Sequence, residues 1–173
     1  MTGRNIKISE YVLLVSQSFI LLFLLFHDWI PLGSLTNLEG VRAENTTGEL
    51  IKMTFLNSIL VIIALIIYLI FMGKRYPLMA KIYFILSYSI LLIGAIFAWW
   101  IPYFFGASQE KVDRFNVMFQ NTHAFLPVLN GIVPNTIHVI FHSLLVITIG
   151  TFIYLFVRKG ENFPQKNRQK INL

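Results

Sequence analysis

Residues 50–72 read LIKMTFLNSILVIIALIIYLIFM, an apolar stretch with a single charge, Lys52. A helix crosses the hydrocarbon of a bilayer with about 20 apolar residues, so this run is long enough to span. Three other runs share its character: Tyr11 to Ile30, Leu78 to Phe105 and Pro134 to Val157. Together they predict an all-α integral membrane four-helix bundle. It forms one transmembrane domain over residues 1–173, with spans near 11–30, 50–72, 78–105 and 134–157 and a polar tail at 158–173.

The gaps between the runs fit this reading. Gly73-Lys74-Arg75-Tyr76-Pro77 is so short that the second and third spans must be antiparallel neighbours. Pro31 to Glu49 is polar and rich in turn formers, including Pro31, Gly33, Asn37 and Gly48, and is expected to be an aqueous loop. The break from Gly106 to Val133 carries Val112, Phe115, Met118 and Phe119 on one helical face, with Glu110, Lys111, Asp113 and Arg114 elsewhere around the turn. That spacing predicts a short amphipathic helix on the membrane surface, capped by Ser108. Pro134 suits the first turn of the fourth span. The first run is longer than the roughly 7–15 residues of a secretory signal core, and no Ala-x-Ala site follows it, so a retained helix is expected.

Composition agrees. Hydrophobic residues make up 56% of the chain and charged residues 13%. A soluble domain carries about 25% charged residues, so too few remain here to coat a surface facing water. The absence of cysteine removes disulfides, thiolate metal sites and thiol redox chemistry.

The formal charge of +6 points to membrane orientation rather than to nucleic acid, because the basic residues gather at the ends of the runs. Arg4 and Lys7 lie in the head, Lys74, Arg75 and Lys81 around the middle gap, and Arg158, Lys159, Lys166, Arg168 and Lys170 in the tail. The other two loops mix signs. Lysine and arginine in excess stay in the cytoplasm. The expectation is a multi-pass plasma-membrane protein with both termini cytoplasmic and the loops 31–49 and 106–133 outside.

All four histidines then fall on the outer half. His138 and His142 are four residues apart and share a helix face with Asn135. His27 lies near the outer end of the first span, followed by Asp28, and His123 lies in the second outer loop after Asn121. At about 1.5 Å of rise per residue, His27 and His138 both sit roughly 6 Å below their helix ends. They stand level if the first and fourth spans touch. Asp28 is the one acidic residue in the runs away from the inner ends, and an Asp–His pair titrates near neutral pH and suits proton transfer.

Three roles compete for this cluster. The first is a transition-metal site, with His138 and His142 as a bidentate pair completed by His123, His27 or Asp28. A nitrogen-rich set selects zinc, copper, nickel or iron over calcium. The glutamate of His-Glu-x-x-His is missing, since Val139 follows His138. The second is haem or quinone, held by histidines on facing helices and lined by Trp99, Trp100 and Tyr103. The third is purely structural, because polar groups in lipid need partners and histidine supplies them. No Gly-rich phosphate loop and no Gly-x-Ser-x-Gly elbow is present. The middle of the runs is mostly Leu, Ile, Val and Phe, which argues against a pore made by one chain.

The segments Trp99-Trp100-Ile101-Pro102-Tyr103, Thr122-His123-Ala124-Phe125-Leu126-Pro127 and Pro134-Asn135-Thr136-Ile137-His138, with His142, resemble small bacterial four-helix membrane proteins of no assigned activity. The likeness covers the C-terminal half. It implies the same topology and adds no mechanism. The leading expectation is a histidine-lined polar pocket at the outer face, binding a metal or haem. The alternative is a non-catalytic accessory subunit that docks to another membrane protein or to a copy of itself.

Overall fold

The computed structural model describes residues 5–157. Arg4 and the tail at 158–173 lie outside the described residues. Among the described residues seven α-helices run in the order α1 (Ile8–Phe26), α2 (Leu38–Glu44), α3 (Thr47–Phe71), α4 (Leu78–Ala95), α5 (Ile101–Phe105), α6 (Gln109–Phe119) and α7 (Thr136–Val157). A π-helical turn, Ile96–Trp100, joins α4 to α5. Among the described residues there is no strand, only an isolated bridge between Leu129 and Ile132.

Four helical stretches are long and apolar enough to cross a membrane: Ile8–Phe26, Thr47–Phe71, Leu78–Phe105 and Thr136–Val157. Helix α1 packs on α3 and α7, and α4 packs on the same two, which closes a four-membered ring. Inside it Leu13, Ile20, Val61, Phe84, Leu145 and Phe152 are fully buried. The outward faces carry Phe55, Ile66, Leu86, Ile90 and Val146, all exposed. Water would be a poor solvent for such a surface.

The helix ends differ in detail from the sequence expectation, for local reasons. Helix α1 stops at Phe26, so His27 and Asp28 occupy its C-terminal turn and not its body. Helix α3 starts three residues early because Thr46 and Glu49 form a reciprocal capping box. The loop 31–49 contains α2, whose start is capped by Asn37 accepting from Gly40 N–H at 3.1 Å. Helix α7 starts after Pro134, with Asn135 accepting from the His138 N–H at 3.2 Å. The surface helix α6 forms with Ser108 as its cap.

The π turn has a chemical cause. A proline ring clashes with the carbonyl four residues earlier, and Pro102 would meet that of Ala98. Widening the turn relieves this, and Ile101 N–H bonds back to Ile96 O instead. The extra residue per turn sends Trp99 and Trp100 to two different histidines of α7.

Polar groups join the helices inside the ring. Tyr88 donates to Gln17 Oε1 at 3.0 Å, while Gln17 Nε2 donates to Leu13 O at 3.1 Å. Thr148 donates to Ser16 at 3.0 Å. Ser58 Oγ is buried with no partner among the described residues. At the end of the ring that carries the α3–α4 connection Glu10 is 0% exposed. Its carboxylate accepts from Lys7 N–H at 3.0 Å, Gly73 N–H at 3.1 Å and the Tyr76 hydroxyl at 3.2 Å. Tyr68 donates to the Glu10 carbonyl. Glu10 sits just before the first apolar run, and only the fold brings Gly73 and Tyr76 to it.

Candidate functional site

At the opposite end, α2 and α6 lie against each other as a cap. Gly40 permits the contact, since a Cβ there would run into the Val117 carbonyl. Arg114 Nη2 donates to Asn45 Oδ1 at 2.8 Å, and Asn37 Nδ2 donates to Val117 O at 3.4 Å. The inward faces bury Val41 and Met118 against Leu50, with Phe115, Phe119 and Trp29 around them.

Between this cap and the helix ends is a cavity of about 510 Å³. His27, Asp28, Trp99 and His138 line it from the helices, and Phe115 and Phe119 line it from the cap. Glu110 and Arg114, both exposed, stand at its rim.

His27 is held by both ring nitrogens. Nδ1 donates to the Phe23 carbonyl at 2.8 Å, and Nε2 lies 3.2 Å from Asp28 Oδ2. A carbonyl oxygen only accepts, so Nδ1 carries a hydrogen. Burial raises the affinity of the Asp28 carboxyl for protons, opposed by His27, and burial lowers that of His27, opposed by Asp28. Both directions weaken the charged form of the pair.

His138 is oriented by its own helix cap. Asn135 Oδ1 accepts from the His138 backbone N–H at 3.2 Å and from its Nδ1 at 2.6 Å. The backbone donor fixes which amide atom faces the ring, so Nδ1 is the protonated nitrogen and Nε2 keeps its lone pair. The ring is packed by Trp99 at 4.5 Å and Phe119 at 5.5 Å between centroids, and stands edge-on to His27 at 5.7 Å.

The other sequence candidates divide. His142 is buried beside His138, with centroids 6.1 Å apart, and its Nδ1 accepts from Trp100 Nε1 at 3.2 Å. It braces α7 and does not line the cavity. His123 does not join the cluster. It is exposed, its Nδ1 meets Thr136 Oγ1 at 2.7 Å, and its backbone bonds Ser34 and Thr136, so it pins the loop to the start of α7. Tyr103 donates to Pro127 O at 3.1 Å and Asn121 is exposed, and neither lines the cavity. Phe115, Phe119 and Met118 were legible in the sequence as one face of a surface helix. Their role as a cavity roof was not, because what the face covers depends on the fold.

These placements bear on the metal and haem expectations. Among the described residues no group of three or more His, Cys, Asp or Glu side chains is arranged to hold a metal ion. Nδ1 of His138 is taken by Asn135 and Nδ1 of His142 by Trp100, so Nε2 is the nitrogen each could offer, and His27 offers none beyond the one beside Asp28. A haem iron between His27 and His138 would need a nitrogen that His27 gives to Asp28. The site offers a ring nitrogen with a lone pair, His138 Nε2, beside the His27–Asp28 pair.

No family model matches this chain, and neither the curated proteins nor the solved structures compared with it give a match.

Proposed function

We propose that the chain is a multi-pass integral membrane protein of the plasma membrane that holds a small hydrogen-bonding ligand in the capped cavity at its outer face. The four apolar stretches support the spans. The excess of Lys74, Arg75 and Lys81 at the α3–α4 end, against the mixed signs at the capped end, supports cytoplasmic termini. A single observation carries the ligand reading. His27, Asp28 and His138 line one cavity of about 510 Å³, within the 300–1,000 Å³ typical of small-molecule sites. Such a pair can give a proton to a bound ligand, and His138 can receive one.

Reporter fusions at both termini test the orientation. For the ligand, ¹⁵N-histidine spectra of the protein in nanodiscs are recorded with water-soluble fragments, among them phenol, hydroquinone and acetate. At least one fragment should shift the His27 and His138 ring resonances, and His138→Phe should abolish that response. If no fragment acts, and His27→Gln with His138→Phe alters only stability, the ligand reading fails. Metal and haem analysis of the same preparation decides against a hydrogen-bonded ligand if stoichiometric metal is found. A stoichiometric protein partner after gentle solubilisation, without fragment binding, favours the accessory-subunit alternative.

A further inference from the structure

A second concavity, of about 770 Å³, opens at the α3–α4 connection. Three cations line it: Lys74 and Arg75 from the connection, both exposed, and Lys81 from the first turn of α4, half-buried. Among the described residues no acidic side chain lines it. Lys74 Nζ donates to the Ile70 carbonyl at 2.9 Å, and Lys81 Nζ lies 5.4 Å from the centre of the Phe156 ring. Neither of these partners carries a compensating charge. Glu10 lies behind the lining, since it accepts from Tyr76, which is itself a lining residue. One buried carboxylate against three cations leaves the concavity positive. The capped cavity differs, with Asp28 and Glu110 set among Lys111 and Arg114.

The rest of the lining is apolar and includes Phe71, Pro77 and Leu78. Ile70, Leu78, Met79 and Ile82 beside it are exposed. Cations and apolar surface therefore adjoin where α3 ends and α4 begins. A soluble anion would use only the cations. A molecule with an anionic head and apolar chains uses both, and the head groups of a bilayer lie at the level where a span ends. Orientation alone asks only that basic residues stay inside. It does not ask that they surround a concavity, nor that one of them stand within the helix, as Lys81 does.

Resting on the four-span orientation above, and not on the ligand of the capped cavity, we infer that this concavity holds an anionic glycerophospholipid of the cytoplasmic leaflet. Lys74, Arg75 and Lys81 hold its phosphate, and its acyl chains lie along Leu78, Met79 and Ile82. Arginine can grip two phosphate oxygens at once, and the lysines act as point charges.

The test uses the full chain in phosphatidylcholine nanodiscs that contain a small share of phosphatidylglycerol with a diazirine in its acyl chain. After illumination, peptide mapping should concentrate adducts on Leu78, Met79 and Ile82. Excess phosphatidylglycerol should suppress them, while equal excesses of phosphatidylcholine and of glycerol 3-phosphate should not. Lys81→Gln keeps Lys74 and Arg75 for orientation and should weaken labelling about five-fold, the worth of one cation at an anionic surface. Lys81→Arg should restore it. Arg42→Gln with Lys52→Gln, at the other end, lowers the net charge further and should change nothing. Equal labelling by a phosphatidylcholine probe, or adducts spread to Ile51 and Phe55, overturns the inference. Displacement by glycerol 3-phosphate overturns it in favour of a soluble phosphate. Labelling that appears only in Glu161→Gln overturns it in favour of the chain's own tail. Each of these leaves the reporter-fusion result and the fragment response of the histidines untouched. If the reporters place the termini outside, the orientation reading falls, and the cytoplasmic leaflet with it.

Discussion

The rings of His27 and His138 stand nearly perpendicular, with centroids 5.7 Å apart and planes at 83°. The two residues come from the first and last of the long helices, and they meet because α1 and α7 are neighbours in the ring. Each is locked by a different partner, His27 by Asp28 and Phe23, His138 by Asn135. The site is therefore organised before any ligand arrives, and the locks can be tested one at a time.

Asn135 serves as helix cap and as the partner of His138. Asn135→Ala should cost about 1 kcal/mol of stability, read from unfolding in mild detergent with increasing denaturant. It should also let His138 sample both tautomers, visible in ¹⁵N spectra. Asn135→Asp should restore the cap. If the His138 ring signals do not change in Asn135→Ala, the orienting role is wrong.

Gly40 lets α2 lie directly on α6. Gly40→Val should overpack that contact at a cost of about 1–3 kcal/mol and loosen the cap locally. The expected result is faster proteolysis within 33–48 and stronger acrylamide quenching of tryptophan fluorescence as Trp99 gains access to solvent, with helix content unchanged. Unaltered quenching would mean that the cavity does not depend on the cap.

Glu10 satisfies two buried donors from the α3–α4 connection, Gly73 N–H and the Tyr76 hydroxyl. Glu10→Ala leaves both without this acceptor, and each buried unsatisfied group costs about 1–3 kcal/mol. The variant should lose several degrees in thermal unfolding. Glu10→Gln keeps an acceptor oxygen and should lose less. Equal losses for the two would show that shape, not hydrogen bonding, is what matters there.

Gln17 and Tyr88 join α1 to α4 in the middle of the ring. A double-mutant cycle with Gln17→Leu and Tyr88→Phe should return a coupling of about 0.6 kcal/mol, and no more than roughly 1.7, as interhelical bonds in membranes do. A coupling of zero would mean that the bond contributes nothing net.

The long helices were legible because their signal is additive: twenty apolar residues in a row outweigh any one side chain. The amphipathic α6 was legible for a related reason, its period and its Ser108 cap. The level of His27 and His138 followed from helical rise alone. Contacts that join distant parts of the chain were not legible. His123 shares residue type and loop position with a ligand, yet Thr136 claims it. Glu10 looks like a solvated head residue until Gly73 and Tyr76 are brought to it. Helix α2 was hidden because seven residues carry too little periodicity, although Asn37 already had the character of a cap.

The bond from Gly73 to Glu10 spans 63 positions of the chain. During synthesis the first helix is delivered long before that amide exists. Its acid end must then stay in the aqueous vestibule or borrow water until the second helix and its turn arrive. If the four stretches insert in chain order, the hairpin of α3 and α4 would seal a carboxylate that α1 brings in, and a truncated chain ending before residue 73 would carry an unfinished anchor.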